Sequence, residues 1–293
     1  MIHWEKVEIV DENELIELEL KFIKKEKQFQ TKGDKKEIIK DFSNSTFVLK
    51  DENVLTTIMK NNITIEYFEV KKQSKMSLDY FDLEYFVNRV ALPLAALLNG
   101  RIVLHGNACS WNDEGIIVLG KSGVGKSTVT TTLALTNDEN VICDDTVVID
   151  QKHNKVFYSS STSRLFEENL DIIKNYSSNG KSFNLDTSFD KKIISINNKE
   201  IFSSYSIKKI FNFSFSNAPR GCVKRIELSD FIENTKFLDY IPPLILNEYI
   251  TKIFFLIKNT ENEKYIRNLD EDFSTFIKNV NSTFNSAMLN GGT

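Results

Sequence analysis

The sequence predicts a mixed α/β fold: a strand-rich region over residues 1–75 and an α/β phosphate-loop core over residues 76–293. Three observations carry that prediction. Short β-branched and aromatic runs crowd the first part of the chain, at Thr46-Phe47-Val48-Leu49, Val54-Leu55-Thr56-Thr57-Ile58 and Ile63-Thr64-Ile65-Glu66-Tyr67-Phe68. An apolar run, Ile116 to Leu119, then breaks at Gly120 into a glycine-rich turn that leads to helix-compatible sequence. Beyond that helix, Val141-Ile142-Cys143 reads as a short buried strand ending at Asp144-Asp145.

Taken in order, residues 1–75 form strands separated by polar turns such as Asp51-Glu52-Asn53 and Asn61-Asn62. The lysines from Lys21 to Lys40 alternate with Glu and Asp, so they read as solvated strand faces rather than a basic patch. The runs between Thr46 and Phe68 have the length to hold an extended peptide by main-chain hydrogen bonding, although packing against the core explains them equally well. A helix is expected from about Ser77 to Asn99, because Leu83, Phe86, Val87, Val90, Leu94, Leu97 and Leu98 recur at steps of three and four. Pro93 falls inside it as a point of kinking, and Asn99-Gly100 ends it. Strands follow at Arg101–His105 and Ala108–Trp111, then a turn over 112–115 and the strand that enters the glycine-rich loop.

After the loop, Ser127–Leu135 reads as helix, Thr146–Asp150 and Val156–Tyr158 as extended, and Leu165–Tyr176 as helical. His153 lies in the turn between the two extended runs and reads as exposed and idle. Strands are expected at Ile193–Ile196, Ile210–Phe215 and Val223–Leu228. Two amphipathic helices close the chain, near Leu246–Lys258 and Asp270–Ser286, the second with Phe273, Phe276, Ile277, Val280 and Phe284 on one face.

With 293 residues the chain can bury a full core. A net charge of −4 argues against a general grip on nucleic acid. Cys109, Cys143 and Cys222 have no metal-ligand spacing. No signal-peptide pattern opens the sequence and no apolar run reaches eighteen residues, so a cytoplasmic protein without a membrane partner is expected.

Gly120, Gly125, Lys126 and Ser127 satisfy the spacing G-x-x-x-x-G-K-[ST]. Glycines let backbone N–H groups wrap phosphate oxygens closely, and the following helix adds its free N–H groups. Gly120, Lys121, Ser122, Gly123, Val124, Gly125, Lys126, Ser127 and Thr128 are therefore the candidate nucleotide-binding residues, with a nucleoside triphosphate as the ligand. Lys126 would reach the β- and γ-phosphates, and Ser127 would ligate Mg²⁺. Asp144-Asp145 should lie at the same sheet edge, one crossover away, where one carboxylate can serve the metal and the other an acceptor. His105 ends an apolar strand; from spacing alone a structural and a functional role stand level.

The ordered set Leu104-His105-Gly106, Gly120–Ser127 and Val141–Ile149 resembles the catalytic domain of the HPr kinase/phosphorylase family across residues 95–150. The resemblance implies a core like the phosphoenolpyruvate-carboxykinase-like kinases, with Asp144 as acceptor base, Asp145 as metal-side carboxylate and His105 near the transferred phosphate. The family's Glu-x-Arg-Gly segment has no match; Ser161–Phe166 falls where its counterpart would lie, with Arg164 the comparable group. The strand-rich N-terminal region differs from the family's regulatory domain, and the combination resembles HPr-kinase-like proteins that phosphorylate lasso precursor peptides. It implies an ATP- and Mg²⁺-dependent kinase acting on a serine of a peptide or small protein. A small-molecule hydroxyl kinase and a non-catalytic nucleotide-binding module are the alternatives, and homo-oligomerisation is compatible with each.

Overall fold

A computed structural model of the protein describes residues 7–9, 16–25, 37–41, 46–50, 54–68, 86–159, 162–176, 184–186, 192–196, 204–216, 223–241, 243–268, 271–272, 274–280 and 282. The fold is mixed α/β, and the chain divides into two compact units. One comprises residues 1–103 with 237–249, the other 104–236 with 250–293. The boundary expected after residue 75 lies outside the described residues. Among them, no helix is long and apolar enough to cross a membrane.

In the first unit, β1 (Val7–Ile9), β2 (Ile16–Lys25), β3 (Glu37–Asp41), β4 (Thr46–Lys50), β5 (Val54–Ile58) and β6 (Asn62–Phe68) form a six-stranded sheet. Its order is β1-β2-β6-β5-β4-β3, antiparallel except where β2 runs parallel to β6. Alternation along the strands buries Phe47, Val54, Thr56, Ile58, Ile63 and Ile65. Cross-strand pairs Phe47↔Ile58, Ile58↔Ile63 and Thr56↔Ile65 put these side chains on one face. The strand edges between Thr46 and Phe68 are not open to a peptide: β4, β5 and β6 are each paired on both sides. A main-chain ladder satisfied twice over has no donors or acceptors left for a further strand.

Residues 86–100 continue the helix expected from Ser77, whose residues 77–85 lie outside the described ones. Pro93 marks a change of winding. Val87–Ala91 is a π-helical turn, with the Leu92 N–H donating back to Val87 O, and α1 (Leu92–Leu98) follows. A proline has no N–H to donate and is best placed in a helix's first turn, so the winding changes where the ladder is already interrupted.

The second unit holds the glycine-rich loop. After β7 (Ile102–Leu104), its elements begin with β8 (Gly106–Trp111), β9 (Glu114–Gly120), α2 (Lys126–Asn137), β10 (Val141–Cys143), β11 (Val147–Asp150) and β12 (Lys155–Phe157). They continue with β13 (Thr162–Leu165), α3 (Leu170–Tyr176), β14 (Asn184–Asp186), β15 (Lys192–Ser195), β16 (Ser204–Ser216) and β17 (Val223–Lys224). Helix α4 (Leu228–Glu233), helix α5 (Leu246–Asn259), which belongs to this unit from Ile250 on, strand β18 (Glu261–Asn268) and helical residues 274–280 complete the order. The strand expected over Val223–Leu228 stops at Lys224, because Glu227 and Asp230 form a reciprocal capping box that starts α4.

The main sheet runs β10-β8-β9-β16-β12-β11, with β18 beside the later half of β16. Strand β8 is antiparallel to both β9 and β10, so those two run the same way and end at one edge. The crossover from β9 through α2 therefore skips one strand and brings Gly120 and Cys143 to the same side, with the start of β8 between them. Helix α2 lays Val129 and Leu133 over Cys109, Ile116 and Val118, and Phe276, Ile277 and Val280 belong to the same core. Phe213, Tyr265 and Phe276 pack as a trio with ring centroids 5.5–5.8 Å apart, within the range of favourable aromatic pairs.

Candidate functional site

Three backbone positions shape the turn after β9. Gly120 (φ +136°), Gly123 (φ +83°) and Gly125 (φ +108°) all lie where L side chains are strained. A Cβ at Gly120 would stand 2.4 Å from Phe213 O on the neighbouring strand, so only glycine lets β9 end there. A Cβ at Gly123 would meet nothing within 4 Å, which leaves that flank of the loop open to a ligand. Lys121, Ser122 and Gly123 are exposed, whereas Val124 is fully buried and pins the loop to the core. Gly125 is the N-cap of α2, so the first-turn N–H groups of Lys126, Ser127 and Thr128 belong to the free end of a helix. Thr128 is buried.

Lys126 Nζ donates to Gly120 O at 2.6 Å and Lys121 O at 3.1 Å, and lies 3.2 Å from His105 Nε2. An ammonium can only donate, so Nε2 accepts and the ring proton sits on Nδ1. That nitrogen is 3.4 Å from Asp145 Oδ1. Burial, and then the charge of Lys126, push the His105 pKa below its ordinary 6.5, with Asp145 opposing. The imidazole is thus neutral at pH 7 and links the loop lysine to Asp145.

The two aspartates part company at the end of β10. Asp144 is 4% exposed, and its Oδ1 accepts from the Ser127 hydroxyl at 2.8 Å and from the Asn107 amide. Its Oδ2 accepts the Arg164 backbone N–H at 3.1 Å. Asp145 has φ +73°, and its side chain is 32% exposed. Lys236 Nζ donates to Asp145 Oδ2 at 2.7 Å and also to Thr146 Oγ1. The carboxylate in contact with Ser127 is Asp144, where the resemblance implied a metal-side role for Asp145, and the more exposed of the two is Asp145.

Three residues here were missed by sequence reasoning. Asn234 accepts the Gly120 N–H at its Oδ1 (3.0 Å) and the His105 N–H at its backbone carbonyl (2.6 Å), tying the loop's base to the histidine. Lys236 follows two residues later, after Thr235 bridges to Leu104. Neither has a spacing signal, since the chain returns to Gly120 only after 114 residues. Asn107 did carry one: it is a polar residue in the inward-facing series of β8 that includes Cys109. Arg164 reaches the site through its main-chain N–H. His153, expected to be idle, is partly buried, with Nδ1 2.8 Å from Asp150 Oδ2.

Among the described residues, no group of three or more His, Cys, Asp or Glu side chains could hold a metal ion alone. Ser127 and Asp144 supply two hard oxygen donors in contact with each other at the start of α2. That set suits Mg²⁺, which is usually bound by one or two carboxylates together with substrate phosphates and retained waters.

No protein-family model matches the chain. No curated protein matches it either. A solved structure to which it is similar is the Hpr(Ser) kinase/phosphatase from Coxiella burnetii, with 13% identity over 64% of this chain and 97% of that one, at a TM-score of 0.29. A likeness that distant fixes neither family nor activity.

Proposed function

We propose that this site binds Mg·ATP and transfers the γ-phosphoryl group to a hydroxyl, with a serine of a peptide or small protein as acceptor. The observation that carries the reading is the pair of carboxylates at the end of β10, one buried against Ser127 of the glycine-rich loop and one partly exposed beside His105. A pure binding module needs only the first.

The loop's N–H groups and the N-terminal turn of α2 hold the β- and γ-phosphates, and Lys126 leaves its carbonyl partners to pair with them. Ser127 and Asp144 would hold Mg²⁺, which would supply positive charge against the negative charge that develops on the transferred group. The acceptor oxygen attacks the γ-phosphorus as the bond to the β,γ-bridging oxygen breaks, and ADP leaves. Asp145 takes the hydroxyl proton, while Lys236 holds its Oδ2 and His105 Nδ1 lies 3.4 Å from its Oδ1. The exposure of Asp145 favours an acceptor presented from outside, such as a serine on a chain, over a small enclosed substrate.

Incubation with Mg·ATP and a panel of serine-containing peptides, followed by intact-mass spectrometry, tests the reading. The expected result is the mass of one phosphoryl group added to some member and lost when its serine is replaced by alanine. Tight Mg·ATP binding with no transfer to peptides or small alcohols would instead assign the site to a non-catalytic module.

A further inference from the structure

Asn107 is 1% exposed, yet its side chain contacts a hydroxyl and a carboxylate. The amide nitrogen donates to Ser127 Oγ at 3.1 Å and to Asp144 Oδ1. An ionised carboxylate can only accept, so the nitrogen and not the oxygen of the amide must face Asp144. This orientation leaves Asn107 Oδ1 buried without a hydrogen-bond partner among the described residues. Leaving a buried carbonyl without a partner is destabilising, and an apolar residue would fill the same inward position without that cost.

The hydrogen-bond inventory shows what the arrangement is suited to. A serine hydroxyl has one hydrogen and two lone pairs. The Ser127 hydrogen goes to Asp144, and one lone pair accepts from Asn107. One lone pair remains, and its direction is set by the other two bonds. Asp144 Oδ1 is held by the same amide, so three elements (β8, α2 and the end of β10) fix two oxygen donors with respect to each other.

We propose that Asn107 is a positioning residue of the divalent-cation site: its amide nitrogen locks Ser127 and Asp144 in the geometry that receives Mg²⁺, and its carbonyl accepts from a water of the cation. This rests on the Mg·ATP reading of the loop. It adds a residue that sets the cation affinity without contacting the nucleotide. Water on a bound cation is a strong donor, and it supplies the partner that the buried carbonyl lacks. Residues that orient metal ligands typically alter metal affinity about 10- to 100-fold when replaced.

Titration of a fluorescent ATP analogue, with EDTA and then with increasing Mg²⁺, separates the two readings. Asn107→Leu keeps the packing volume and Asn107→Ala removes the amide outright. In both, nucleotide affinity in EDTA is expected to match wild type, while the Mg²⁺ concentration for half-maximal tightening rises about 10- to 100-fold. Mn²⁺ binding to the nucleotide complex, followed by electron paramagnetic resonance, should weaken in parallel. An unchanged Mg²⁺ requirement in both variants overturns the inference and leaves the nucleotide reading intact. If wild type binds no nucleotide at all, the underlying reading fails and this one with it. Loss of the native near-ultraviolet circular dichroism in both variants would make Asn107 a packing residue only, and would also overturn the proposal.

Discussion

Ser127 donates its hydroxyl hydrogen to Asp144 Oδ1 over 2.8 Å, while the next carboxylate, Asp145, turns to Lys236 at 2.7 Å. Successive residues of an extended strand point to opposite faces, but this pair lies just beyond β10 with Asp145 in the left-handed region. The bend sends one carboxylate under the loop and the other toward solvent.

The two aspartates should therefore fail differently. Asp144→Asn is expected to raise the Mg²⁺ requirement for nucleotide binding by about tenfold or more, since it weakens a cation donor and the partner of Ser127. Asp145→Asn should leave Mg·ATP binding near wild type while transfer falls by about 10²–10⁴-fold, the usual worth of a general base. Calorimetry and single-turnover transfer assays on both variants check this. The opposite pattern would restore the assignment expected from sequence.

Lys126→Met keeps most of the side-chain volume but removes the ammonium that lies between Gly120 O, Lys121 O and His105. Nucleotide affinity should fall, and ATP should lose more than ADP because the missing charge faces the terminal phosphates. Equal losses for ATP and ADP in a competition assay would place Lys126 elsewhere on the nucleotide.

Much of this arrangement was legible in the sequence because it is local. The glycine spacing, the apolar run into Gly120 and the acidic end of Val141–Cys143 all lie within residues 116–145. What was not legible depends on contacts made across the fold. Asn234 and Lys236 reach the loop through the turn after α4, and nothing in their neighbourhood marks that destination. Strand β18, Glu261-Asn-Glu-Lys-Tyr-Ile-Arg-Asn, lacks a strand's apolar pattern; parallel pairing with β16 over eight residues makes it one. The different surroundings of Asp144 and Asp145 go with the positive φ of Asp145, which the residue types do not encode.

Gly120 and Gly123 provide a matched pair. Gly120→Ala adds both left-handed strain and a Cβ 2.4 Å from Phe213 O, so urea unfolding should show a loss exceeding the roughly 1–3 kcal/mol of the strain alone. Gly123→Ala, with nothing within 4 Å of its Cβ, should cost only the strain and show its effect chiefly in nucleotide affinity. Equal stability losses at the two positions would mean that β16 yields to the added methyl group.

The last prediction follows from the neutral histidine. Burial first, and Lys126 second, lower the His105 pKa from its ordinary 6.5. The unfolded chain then takes up a proton at His105 as pH falls through 6.5, while the folded protein resists until its own lower pKa is reached. The unfolded state binds more protons in that window, so the contribution of His105 is present above pH 6.5 and lost on acidification. His105→Gln carries no titrating ring, and its melting temperature should decline less than that of wild type between pH 7.5 and pH 5.5, a range of about one unit around the ordinary value. Lys126→Met removes the second cause of the shift and should also flatten the decline, though less than His105→Gln does. If wild type and His105→Gln lose stability in parallel over that range, the ring protonates as readily folded as unfolded. The neutral link between Lys126 and Asp145 would then have to be abandoned.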